Sequence, residues 1–103
     1  MGLNYRIRLP TARGHEPRGP RYGVIVQVDQ LLGLSTVIVA PTSRSAAAAT
    51  FRPEIGLAGE STRVLVEQLR AVDVERLNSL AGRLTAPEQR AVDEALALIL
   101  DLA

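Results

Sequence analysis

Cysteine is absent from this 103-residue chain, and so is lysine; every one of the 12 basic side chains is an arginine. Without cysteine there are no disulfides, no thiolate zinc sites and no cysteine nucleophile. The single histidine, His15, excludes a two-histidine acid/base pair within one subunit and any multi-histidine metal site. Aromatic residues are limited to Tyr5, Tyr22 and Phe51. Three rings argue against a base-stacking platform and against an aromatic-lined peptide groove. No apolar run approaches the ~18 residues of a membrane span, and the N-terminus has no apolar signal core. The expectation is a cytoplasmic protein with no membrane partner.

What the chain does contain is a globular composition, 47% hydrophobic and 22% charged. At this length it supports one domain over residues 1–103 and no second core. The net charge of +1 hides an asymmetry. Residues 1–52 hold seven arginines against Glu16 and Asp29, whereas residues 53–103 hold five arginines against nine acids. Arg13, His15, Arg18 and Arg21 fall together in one short stretch. A coding bias that replaces lysine by arginine acts along the whole chain and does not explain that cluster. Arginine presents a planar fork that grips two phosphate oxygens, where lysine offers a point charge. The cluster therefore reads as a phosphate-binding loop, and the acidic half is expected to contribute little to nucleic-acid binding.

The periodicity predicts five or six short strands and one helix. Residues 4–9 alternate Tyr5, Ile7 and Leu9 with polar neighbours, the period of a half-buried strand. Residues 10–21, with three prolines and two glycines, read as a loop. The β-branched runs at 22–28 and 35–40 read as buried strands, the second closed by Pro41. Residues 42–50 are small and polar and then alanine-only, too short for a persistent helix, and read as a flexible loop. A short strand over 51–56 is placed at a sheet edge by Pro53. Residues 62–72 read as one long strand with Val64, Val66, Gln68, Arg70 and Val72 on a single face. Asp73 is positioned to cap a helical turn at 74–77, and residues 79–84 to return as a strand. Thr85-Ala86-Pro87-Glu88 has the form of a capping box, followed by a helix over 86–102 whose apolar face is Val92, Ala95, Leu96, Ile99 and Leu102. The fold class is α+β, with a sheet that must curl on itself to bury its strands.

Three blocks of this sequence resemble the MazF/PemK family of toxin endoribonucleases. Residues 13–29, RGHEPRGPRYGVIVQVD, are similar to the family's R-G-x-E-x-x-G-x-R block and the strand behind it. Residues 36–43, TVIVAPTS, resemble its next strand, and residues 64–73, VLVEQLRAVD, its later V-(L/A)-(L/A)-(D/E)-Q strand. The pattern of residues 82–100 is similar to the family's terminal helix, so the resemblance runs from residue 5 to 103. It implies an SH3-like small β-barrel with a C-terminal amphipathic helix, working as a homodimer. It also implies cleavage of single-stranded RNA without a metal or cofactor, and inhibition by a cognate antitoxin.

The same resemblance assigns roles. Arg21 matches the family's catalytic arginine and Ser43 its catalytic hydroxyl, with Thr42 one position away. Glu16 matches the loop acid, which orients Arg21, accepts a proton or reads a base edge. Arg13, His15, Arg18, Thr42, Gln68 and Arg70 are the implied substrate contacts. The chemistry suits these residue types. RNA supplies its own nucleophile, the 2′-hydroxyl, so the protein must help remove that proton, stabilise charge on phosphorus and protonate the leaving 5′-oxygen. Tyr22 stands where the family has a proline after the arginine, and Val28 where it often has an asparagine; both bear on sequence preference. The competing reading keeps the fold and changes the function: a CcdB-like toxin that inhibits DNA gyrase and cleaves nothing, and so has no need of the Arg21 and Ser43 pair.

Overall fold

The computed structural model describes residues 3–7, 21–26, 35–57 and 59–102. Within them the strands are β1 (Leu3–Ile7), β2 (Arg21–Ile25), β3 (Thr36–Ser43), β4 (Glu54–Leu57), β5 (Glu60–Val64), β6 (Arg70–Asp73) and β7 (Leu77–Arg83), followed by helix α1 (Ala86–Leu100). All described pairings are antiparallel. The strands run in the order β4-β5-β3-β2-β1-β7, with β6 also paired to β3. This is the α+β class expected from the sequence. Residues 8–20 and 27–34 lie outside the described residues, and with them the ends of the first two expected strands and the loop between.

Strand β3 is the pivot. Its first half, Thr36–Val39, pairs with β6, and its last two residues, Thr42 and Ser43, pair with β5. Its other side carries β2, through Val39–Pro41. Pro41 was expected to close this strand, yet the strand continues to Ser43. The reason is local. The Pro41 carbonyl faces Leu65, accepting its N–H at 2.8 Å, so the donor that proline lacks falls on that same side. There the pairing passes from β6 to β5, and no ladder bond is missed.

The expected single strand over 62–72 is likewise corrected. A three-residue 3-10 turn, Val66–Gln68, divides it into β5 and β6. The inserted turn reverses which face each side carries. Val64 and Val66 belong to the cluster beneath the helix, whereas Val72 belongs to the opposite cluster. Strand period alone cannot show an insertion that sits between two well-formed strands. Gln68 accordingly stands in a turn and not on a strand.

The sheet buries both faces. On one, Val24, Ala40, Ile55, Val64 and Val66 pack against Val92 and Ala95 of α1. On the other, here the outer face, Ile25, Val37, Val39 and Val72 pack together with Leu77 of β7. Contact between the centre of the sheet and its far edge strand is the signature of the curl. Two bulges in the β1–β7 pairing serve it, and Gly82, at φ 154°, sits at the first of them. As expected, β4 is an edge strand, entered through Pro53.

Helix α1 starts on a complete capping box. Thr85 Oγ1 accepts the Glu88 N–H at 3.2 Å and Glu88 Oε1 accepts the Thr85 N–H at 2.9 Å. Glu88 Oε2 also accepts the Gly56 N–H at 2.8 Å, which ties the helix to β4. The helix ends at Leu100, with Asp101 in the left-handed conformation. Ile99 and Leu102, expected on the buried face, are exposed. Asp73 precedes a 3-10 turn, Val74–Arg76, but its side chain does not cap it.

Candidate functional site

The ends of β2, β3 and β5 bring the implied residues into register. In β2 and β3, Gly23 stands opposite Pro41 and Val24 opposite Ala40. One step further, Thr42 Oγ1 donates to the Tyr22 carbonyl at 3.2 Å. Continuing the register by one more residue sets the Arg21 backbone, the first position of β2, beside Ser43, the last position of β3. On the other side of β3, Ser43 is the direct partner of Arg63. Arg63 is in turn the partner of Glu54 on β4. A transverse row therefore crosses four strands through Arg21, Ser43, Arg63 and Glu54.

Alternation along a strand decides which face this row occupies. Thr42 pairs with Val64, which lies in the cluster beneath α1. Ser43 therefore belongs to the outer face, shared with Val37 and Val39. The Thr42 hydroxyl is engaged by the Tyr22 carbonyl. The Ser43 hydroxyl is half-exposed and, among the described residues, meets one partner, the Ser45 Oγ hydroxyl at 3.3 Å.

Arg70 pairs with Val39 and so shares the outer face, half-buried and without an ion pair among the described residues. Four residues of strand separate Val39 from Ser43, about 13 Å at the usual rise. Arg70 thus lies along the same face but away from Ser43. Gln68 is exposed on the turn between, its N–H bonded to the Leu65 carbonyl at 2.9 Å. Arg13, His15, Glu16 and Arg18 lie outside the described residues.

Sequence spacing does not single out Arg63, nor the pair that supports it. Arg63 Nη1 donates to the Arg52 carbonyl at 3.0 Å. Arg52 itself is fastened: its Nε and Nη2 reach Glu67 Oε2 at 2.9 and 2.7 Å, and its Nη1 the Ala47 carbonyl at 3.1 Å. The segment after Ser43 is thereby tied to the turn that carries Gln68. Arg44 forms a second, exposed tie to Glu60. Glu67 was visible only as the acidic position of the V-(L/A)-(L/A)-(D/E)-Q block. No group of three or more His, Asp or Glu side chains fit to hold a metal occurs among the described residues.

Residues 5–100 match the family of PemK-like, MazF-like toxins of type II toxin–antitoxin systems. The chain belongs to this family. It is 33% identical over 113 aligned positions to the protein named endoribonuclease MazF9 of Mycobacterium tuberculosis, covering 98% of this chain and 95% of that one. The fold matches the solved structure of Mycobacterium tuberculosis toxin MazF-mt6 with a TM-score of 0.82 at 18% identity, over 100% of this chain and 99% of that one. A mycobacterial endoribonuclease, solved in complex with its cognate antitoxin, matches with a TM-score of 0.81 at 17% identity, over 99% and 94% of the two chains. At such identities the two structures speak for the fold, which is that of the MazF toxins, a curled antiparallel sheet with one C-terminal helix.

Proposed function

We propose that this toxin is an endoribonuclease that cleaves single-stranded RNA by attack of the substrate's own 2′-hydroxyl, leaving 2′,3′-cyclic phosphate and 5′-hydroxyl ends. The feature that carries the reading is the β2–β3 register, which, continued past its last paired residues, sets the Arg21 backbone beside Ser43 at neighbouring strand ends. The full-length likeness to a protein named as an endoribonuclease supports it. The guanidinium of Arg21 stabilises the charge that builds on the phosphorane oxygens. The Ser43 hydroxyl donates to a phosphate oxygen or to the departing 5′-oxygen. Glu16 or His15, the carboxylate or the imidazole of the arginine-rich loop, supplies the remaining proton transfer. Arg13, Arg18, Gln68 and Arg70 hold the strand on either side. Because the nucleophile is internal to the substrate, the reaction needs no metal-activated water. A homodimer and a cognate antitoxin that covers the RNA groove complete the system; the antitoxin-bound relative supports the second.

The test is purified protein on a long RNA in the presence of EDTA. Undiminished cleavage with cyclic phosphate termini, read by mass spectrometry, is expected. Arg21→Ala should slow cleavage by about 10²-fold, the cost of losing one charge-stabilising donor. Arg21→Lys should recover only part, since an ammonium does not span two oxygens. A folded Arg21→Ala protein that cleaves as fast as the wild type removes Arg21 from the mechanism, whereas a wild type that leaves RNA uncut removes the nuclease reading.

A further inference from the structure

We infer that Arg63 is a second phosphate anchor, which holds the RNA phosphate next to the one that is cut. This deepens the endoribonuclease reading and rests on it, and it places an RNA contact in the acidic half, against the expectation from charge balance alone. The transverse row supplies the argument. Ser43 has Arg63 as its partner on β5, and the β2–β3 register, continued past its last paired residues, sets the Arg21 backbone on its other side. Strands lie about 4.8 Å apart, so Arg63 stands one strand beyond the hydroxyl at the cleaved phosphate. That displacement is of the order of one nucleotide step along an extended RNA strand. A strand that crosses the sheet along the row therefore brings its next phosphate to Arg63.

The chemistry of the Arg63 head group points the same way. A guanidinium has five N–H donors. Among the described residues, one bond is made, by Nη1 to the Arg52 carbonyl. The nearest carboxylate oxygen, Glu54 Oε1, lies 3.8 Å from Nη2, beyond hydrogen-bond length, on a side chain 59% exposed. A pair of that kind is weak and screened by salt, and a phosphate displaces it at little cost. The Arg63 side chain is 26% exposed, so part of it is open to a ligand from solvent. Its anchor is rigid, because the Arg52 guanidinium is held by Glu67 and by the Ala47 carbonyl. The side chain is thus set in place before substrate arrives, which lowers the ordering cost of binding.

A purely structural Arg63, serving the Arg52 carbonyl and Glu54, predicts loss of stability without a change in how binding depends on salt. The experiment separates the two. An oligonucleotide spanning a mapped cleavage site, with a 2′-deoxy sugar at that site, binds without being cut. Arg63→Gln keeps an N–H for the Arg52 carbonyl and is the variant of choice; Arg63→Ala is the second, and thermal melts establish the fold of both. The variants are expected to bind about tenfold more weakly. The slope of log affinity against log salt should flatten by about 0.7, the share of one phosphate on a single strand. With cleavable RNA, KM should rise while kcat stays within about threefold, because the lost contact is to a phosphate that does not react. Replacing one flanking phosphate by a neutral methylphosphonate should weaken wild-type binding by a similar factor and leave Arg63→Gln unaffected. If folded variants bind and cleave like wild type, or if both proteins lose equally on each neutral linkage, Arg63 is not an anchor. Absence of any cleavage by the wild type removes the endoribonuclease reading itself, and this inference with it.

Discussion

At the scale of single residues, the choice between Thr42 and Ser43 turns on strand pleat. In the sequence the two hydroxyls are adjacent and equivalent, and a slip of one position exchanges them. In the fold they point to opposite sides of β3. Thr42 is paired to Val64 above the helix and spends its hydroxyl on the Tyr22 carbonyl. Ser43 lies in the row with Arg63. Thr42→Val should therefore leave single-turnover cleavage within about threefold and cost about 1 kcal/mol of stability, the usual net worth of one hydrogen bond. Ser43→Ala should slow cleavage at least tenfold with little change in melting temperature, and Ser43→Thr should be tolerated, since the hydroxyl survives. The reverse pattern would assign the chemistry to Thr42. Arg21 and Ser43 were both legible as motif positions in the sequence. That they are neighbours was not, because register between strands depends on which residues pair and not on their spacing along the chain.

The elements were legible wherever a local rule was sufficient. The capping box at Thr85–Glu88, the edge strand after Pro53 and the β-branched β3 each follow from their own few residues. The division of residues 62–72 does not. It exists because β3 changes partners, a non-local cause that leaves Val64, Val66 and Val72 in an unbroken alternating pattern. Glu88 shows how a local signal acquires a tertiary role. Burial alone would raise its pKa, but bonds from the Thr85 and Gly56 N–H groups and the Thr85 hydroxyl outweigh that and hold it below the ordinary 4.5. Because the folded value is depressed, this carboxylate stabilises the protein fully above the ordinary value. The contribution fades as pH falls through the lower, folded one. Glu88→Gln removes the charge and one of the two accepting oxygens. It should cost about 1 kcal/mol at pH 7, or about 4–8 °C in melting temperature. Thermal melts of both proteins should converge as pH falls below the ordinary carboxylate value and through the lower, folded one, where the wild-type carboxyl takes up its proton. A gap that does not narrow at any acidic pH at which both proteins still fold would show that the charge is not what ties α1 to β4.

At the scale of the whole molecule, the fold leaves apolar surface that one copy does not cover. The end of α1 exposes Leu98 at 57% and Leu100 at 50%, and Leu102, just beyond it, at 71%. Sequence periodicity predicts Leu102 on the buried face; the helix stops at Leu100, and Asp101 turns the chain away before that face is complete. Several large aliphatic side chains left in water at one helix end are the kind of surface that another molecule covers. In a two-fold symmetric pair every residue is used twice, so each leucine buried contributes on both protomers. At about 1.5–3 kcal/mol for full burial of one such side chain, the doubled contribution from a few of them reaches the range needed to offset the cost of association. Light scattering should therefore report a species of about twice 11.1 kDa at micromolar concentration. The double variant Leu98→Glu/Leu102→Glu should shift it to the monomer with its circular dichroism unchanged, because neither side chain belongs to the two buried clusters. The alternative is that the antitoxin covers this surface. In that case the wild type alone runs as a monomer, the double variant behaves identically, and the homodimer is withdrawn.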